Sequence, residues 1–424
     1  MNAILSLPIR VSGLVAAAFG LLLSSQLSLA IDAAPEDADW PVQRVFASDG
    51  ADGDYFGFQV AVIGSSALVT APDATIGGNT NQGAAYAFTC DSLGNWQQAQ
   101  KLSAGVTGDK FGYSLSMQSS TAFIGAPYAA GRTSTAAGVV RIYSLSGTTW
   151  NLAQTLNSPA GLNSGYFGIS LASTDSKALV LGRSNLTGWQ LYAYARDTNG
   201  AWQLTQTIPT PADYDWSQYF PMAIAMNANT ALLPFPTATV GDVTEAGTVF
   251  VYTYANGLWG LTDKLIATDG TNSAAFGGQV ALTDYGAVLV SAPFQRYHGA
   301  VYEFRKNAGL WTQTQEITVP VANALEAFGF SLAAMRGTFG SQTMPSFVAG
   351  NPLDFVPSIN EGAAHVFTYD GTSWVELAKL KWPDLSTVVV GTGVAIDLHT
   401  VMVAGVPQLF QQPGAGVVDF YTRP

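Results

Sequence analysis

Cysteine is almost absent from this chain: Cys90 is alone among 424 residues, so no intrachain disulfide framework is available. Charge is scarce too, at 11% of residues, with 17 Lys and Arg against 29 Asp and Glu. The basic residues never cluster, so the sequence has neither the patch a nucleic acid needs nor the polybasic run an anionic membrane needs. Only three histidines occur. No Gly-x-Ser-x-Gly elbow, His-Glu-x-x-His pair or phosphate-cradling glycine loop is present, and no catalytic residue is assigned. Beyond the first thirty residues no apolar run approaches the ~18 residues of a membrane-spanning helix.

That early stretch is a separate element. Arg10 precedes "VSGLVAAAFGLLLSSQLSLA", which ends in a small-x-small arrangement at Ser28 and Ala30. This pattern predicts a signal peptide over 1–30 cleaved after Ala30. Ser24, Ser25 and Gln26 interrupt the run and weigh against a retained anchor. No cysteine follows to carry a lipid. The mature protein is therefore expected outside the cytoplasm, secreted or periplasmic, with 31–39 a short linker and 40–424 a single domain.

What is plentiful is glycine (44 residues) and aromatic side chains (12%), a composition of short strands and tight turns. Phe-Gly recurs at 56, 111, 167, 276 and 328, is replaced by Phe220-Pro221, and ends in a degenerate copy at Gly391-Thr392-Gly393. Each copy continues through a segment such as "ALVTAP", "AFIGAP" or "VLVSAP", then a glycine leading an alternating strand such as "GAAYAF" or "GAVYEF". A turn and a Trp (96, 150, 202, 259, 311, 374) open a fourth strand. The last copy stops after three strands, at "GVVDFYTRP". Its missing fourth strand stands at the other end, "WPVQRVFASDG" from Trp40. A ring accounts for this, because the N-terminal strand then completes the last blade and leaves no open edge. The fold predicted is all-β, a seven-bladed β-propeller of four-stranded antiparallel blades. An open solenoid of seven sandwiches would leave both end strands unpaired.

The "FG…GAP" units resemble the FG-GAP repeat of integrin α-subunit propellers, and more closely its bacterial form, over residues 40–424. The resemblance implies the propeller and an adhesion or recognition role. It does not carry over the integrin calcium loop, because the connection between first and second strands is here a tight hairpin such as "VIGSSAL" without carboxylates. No cofactor is expected. Calcium is the one ion left open, at Asp49, Asp52 and Asp54 in "SDGADGDYFG", where the acids also read as turn formers.

Blade geometry places the turns after strands one and three on one face and the other connections on the opposite face. The first set is short and the second long, and long loops on a rigid scaffold carry binding function. On that face the candidate ligand residues are Tyr128, Arg132, Tyr214, Asp215, Trp216, Arg296, Tyr297, His298, Asp354 and Phe355. Exposed aromatics beside acids and arginine suit a glycan or a protein hot spot. The expectation is a non-catalytic, monomeric binding module with a protein or glycan ligand. A carbohydrate-active enzyme using loop carboxylates such as Asp215 and Asp354, or a structural part of a surface assembly, are the alternatives.

Overall fold

A computed structural model describes residues 38–130, 137–159, 165–184, 188–211, 223–320, 326–335, 344–353, 355–356, 359–360, 362–381, 388–407 and 415–424. The predicted signal peptide, 1–30, and residues 31–37 of the predicted linker lie outside this set. Seven four-stranded antiparallel sheets form a closed ring. Blade 1 consists of Val60–Ile63, Ser66–Ala71, Ala84–Cys90 and Trp96–Ser103, ordered from the axis outward. Blades 2 to 6 repeat that order over 114–157, 170–209, 225–265, 280–317 and 331–380. Blade 7 has Val388–Ile396, Thr400–Pro407 and Val417–Thr422, and its outermost strand is Val42–Val45 from the other end of the chain. The pairing Val42↔Tyr421 through Val45↔Val418 closes the ring as the sequence predicts. The first strands of successive blades touch one another around the axis, including blade 7 against blade 1. Among the described residues the helical content is one 3-10 turn, Gln295–Tyr297, and no helix is long and apolar enough to cross a membrane.

The core is divided among the seams. Among the described residues, seven buried apolar clusters are found, each drawn mainly from two neighbouring blades. Phe56, Phe111, Phe167, Phe276 and Phe328 are completely buried in them, each contributing roughly 2–3 kcal/mol by burial. At the closing seam Trp96 of blade 1 stacks on Phe420 of blade 7, with centroids 4.5 Å apart. The repeated glycine before the third strand explains how Phe-Gly joins blades. The Phe111 N–H donates to the Gln82 carbonyl at 2.9 Å, and a Cβ on Gly83 would stand 2.1 Å from the Phe111 carbonyl oxygen. No other residue fits this approach. The same crowding recurs at five further seams, and in one of these the partner of Gly362 is Val390. Val390-Gly391 is therefore the degenerate seventh Phe-Gly.

A second repeated device ties the outer strands together. Gln100 Nε2 donates to the Trp150 carbonyl at 3.0 Å, and its Oε1 accepts the Trp150 N–H at 2.8 Å. Gln154 holds Trp202 in the same way, Gln206 holds Trp259, Gln315 holds Trp374 and Gln43 holds Trp96. Within a blade this Gln lies four residues after the strand-four Trp, because a register shift bulges that strand. The Val42–Val45 pairing has no such shift, and its Gln lies three residues after Trp40. Asp263 and Ala378 occupy the Gln position at the two seams without this clasp.

Candidate functional site

The residues flanking Phe-Gly set up the long-loop face. In four blades the residue before Phe is left-handed: Tyr55 (φ 58°), Lys110 (52°), Tyr166 (45°) and Ala275 (56°). Its carbonyl accepts the N–H of the residue after Gly, as from Tyr113 to Lys110 at 3.2 Å and from Ile169 to Tyr166 at 3.0 Å. Non-Gly residues enter this region at a cost, and its recurrence makes it a property of the repeat. The turn sits where the inner strands begin, so its flanking positions gather near the axis.

In each of blades 1 to 3 at least one of those positions is aromatic: Tyr55 and Phe58, Tyr113, and Tyr166. Phe58 and Tyr113 have ring centroids 5.3 Å apart, Tyr113 and Tyr128 6.1 Å, Tyr128 and Tyr166 5.5 Å, and Tyr166 and Trp189 6.4 Å. The first four are half-buried and Trp189 is buried. The position after Phe-Gly is Gly278 in blade 5 and Thr392 in blade 7, with a half-buried Phe330 between them in blade 6, so the continuous arc belongs to one side of the ring. An ion pair between Lys110 and Asp73 lies beside it. Burial, then Tyr128 and Asp73, push the Tyr113 phenol up. Burial, then Tyr166 and Asp73, do the same to Tyr128. Burial and proximity thus act together on Tyr113 and Tyr128.

Of the residues the sequence singled out, Tyr128 stands in this arc. Arg296, Tyr297 and His298 belong to blade 5, three blades around the ring. Arg296 is bound by Asp269 and by Glu316, the latter at 3.0 Å. Tyr297 is 71% exposed. The His298 Nδ1 is buried without a partner, and burial lowers its pKa. Arg132, Tyr214, Asp215, Trp216 and Asp354 lie outside the described residues. Phe355 forms a short pairing through Phe355↔Asn360.

The acidic trio does not converge on one point. Asp49 accepts the Tyr86 hydroxyl at 3.0 Å and pairs with Lys101. Buried Asp54 accepts the Ala51 N–H at 2.9 Å, while Asp52 is exposed. Both engaged roles repeat elsewhere: Asp269 accepts the Tyr302 hydroxyl at 3.0 Å, and Asp109 accepts the Val106 N–H at 2.9 Å. The histidines stay apart. His365 shares a 2.7 Å hydrogen bond with Glu376 inside blade 6, and His399 sits in the turn between the first two strands of blade 7. Among the described residues no group of three or more His, Cys, Asp or Glu could hold a metal ion.

Sequence reasoning missed Phe58, Tyr113, Tyr166 and Trp189. The available signal was an aromatic on either side of Phe-Gly in blades 1 to 3, "YFGF", "FGY" and "YFG".

Fold and loop face together define a β-propeller built on Phe-Gly repeats. The FG-GAP repeat family matches residues 41–88, 96–143 and 259–304, and this chain carries FG-GAP repeats. Each match runs from one blade's outer strand through the third strand of the next. No curated protein matches the sequence. Among solved structures, the chain is similar to a Bacteroides fragilis protein assigned as a 6-phosphogluconolactonase: TM-score 0.49, 8% identity, 87% of this chain and 95% of that one. It is also similar to the periplasmic gluconolactonase PpgL of Pseudomonas aeruginosa: TM-score 0.46, 11% identity, 80% of this chain and 95% of that one. Likeness at this level speaks to neither activity nor substrate.

Proposed function

We propose that this propeller is a recognition module that acts after export, without catalysis, by binding a ligand on its long-loop face. The observation that carries the reading is the half-buried arc Phe58–Tyr113–Tyr128–Tyr166 at the axial end of that face. Half-buried aromatics on a rigid scaffold offer a large contact area at low conformational cost. The asymmetry of the arc supports a binding role, because a packing device of the repeat would recur in every blade. The test is retention of the exported protein on the envelope of the producing cell. Tyr128→Ala and Tyr166→Ala should release it, while Leu93→Ala, at an 85% exposed hairpin tip of the opposite face, should leave it bound. Equal retention of all three would remove the long-loop face from consideration.

A further inference from the structure

We infer that the arc takes a carbohydrate chain of several sugar units, a ligand class that rests on the long-loop-face reading above. The hydroxyls carry the inference. Tyr86, Tyr192 and Tyr302 are also aromatic residues of the blades, and they donate to Asp49, Gln190 and Asp269 at 3.0, 2.9 and 3.0 Å. Among the described residues the hydroxyls of Tyr113, Tyr128 and Tyr166 have no hydrogen-bond partner. They are not sealed from solvent as the partnerless Tyr252 hydroxyl is. Three phenols therefore stand side by side, each with a donor and acceptor capacity that no described protein group uses.

A ligand that fits must offer apolar faces to the rings and many hydroxyls to the phenols. Sugar rings do both, through their C–H faces and vicinal diols. Lys110 beside the arc is already paired with Asp73 and offers little to an anionic group. The arc crosses three blades with successive rings 5.3–6.4 Å apart. That span is longer than one sugar, so affinity should rise with chain length.

The experiment is isothermal titration of the purified protein with cellohexaose, maltohexaose, xylohexaose, mannohexaose and chitohexaose, and with the trimers of any that bind. At least one hexamer should bind, and bind more tightly than its trimer. Tyr113→Phe and Tyr128→Phe keep the rings and remove one hydroxyl each, so each should weaken binding about fivefold. Tyr166→Ala should weaken it about tenfold or more, with Leu93→Ala unchanged. Melting curves exclude a variant that fails to fold, and the Phe variants carry the test if Tyr166→Ala does not. Binding that the Phe variants leave untouched overturns the inference. If no hexamer binds while Tyr128→Ala still releases the protein from the envelope, the ligand is not carbohydrate and the face stands. If neither effect is seen, both readings fall.

Discussion

At the scale of single residues, Glu303 shows how a buried charge is kept in a blade seam. It is 2% exposed and accepts hydrogen bonds from Arg305 at 2.8 Å, Thr314 at 2.6 Å and the Trp374 indole of the next blade at 3.0 Å. Burial pushes its carboxyl up, but Arg305, Thr314 and Trp374 together outweigh burial and hold it below its ordinary value of 4.5. A depressed carboxyl stabilises the fold above its unfolded pKa, and that stability is lost as pH falls through the folded value. The melting temperature should therefore drop below pH 4.5, and Glu303→Gln should flatten the drop. Parallel curves for the two proteins between pH 5 and 3 would show that this seam does not set the acid limit. The acids that resembled a calcium site behave differently. Asp49 and Asp54 are engaged by Tyr86, Lys101 and the Ala51 N–H, so neither calcium nor EDTA should shift the melting curve. Their type and spacing were plain in the sequence. Their partners were not, because Tyr86 and Lys101 are far along the chain and meet Asp49 only in the folded blade.

Among elements, the Gln clasp is the clearest case of information present in the sequence and passed over by its hydrophobic pattern. "WQQAQ", "WNLAQ", "WQLTQ" and "WTQTQ" all carry it. Glutamine in an outer strand reads as surface, because its partner is the backbone of another blade. The strands themselves were legible, since alternation and turn glycines act locally. The aromatic arc was not, because its members come from separate repeats and become neighbours only when the ring forms. Replacing Gln154 by Ala leaves the Trp202 N–H and carbonyl without their partner and should cost about 1–2 kcal/mol. Conversely, Asp263→Gln supplies the missing side-chain clasp for the Trp311 backbone at the seam between blades 4 and 5, and should add about 1 kcal/mol. Guanidinium unfolding of both variants measures these changes. A neutral Asp263→Gln with a destabilising Gln154→Ala would mean that blade 5 is held at a different angle from the others.

For the whole molecule, the closing blade joins the two ends of the chain, and an ion pair between a half-buried arginine and a buried carboxylate lies in that junction. Arg44 Nε and Nη2 reach the two Asp419 carboxylate oxygens, each at 2.9 Å, and Asp419 is 1% exposed. Burial raises the Asp419 carboxyl, and Arg44 opposes the rise. Arg44→Ala removes that opposition and leaves a buried carboxylate facing no cation, so it should cost about 3–5 kcal/mol at neutral pH. The sign of its pH dependence follows from the raised value. The protonated acid is favoured in the fold, and this contribution is complete below 3.8 and is lost as pH rises through the folded value. The deficit of Arg44→Ala should therefore shrink toward pH 4. The double change Arg44→Met with Asp419→Leu removes both charges while keeping the strand apolar, and should recover most of the loss, since apolar replacement of a buried pair is often neutral or stabilising. Chemical denaturation of the three proteins at pH 7 and pH 4 separates the outcomes. Recovery in the double variant assigns the loss to a stranded charge. If the double variant stays as unstable as Arg44→Ala at both pH values, the ring depends on the pair itself to hold its first and last strands together.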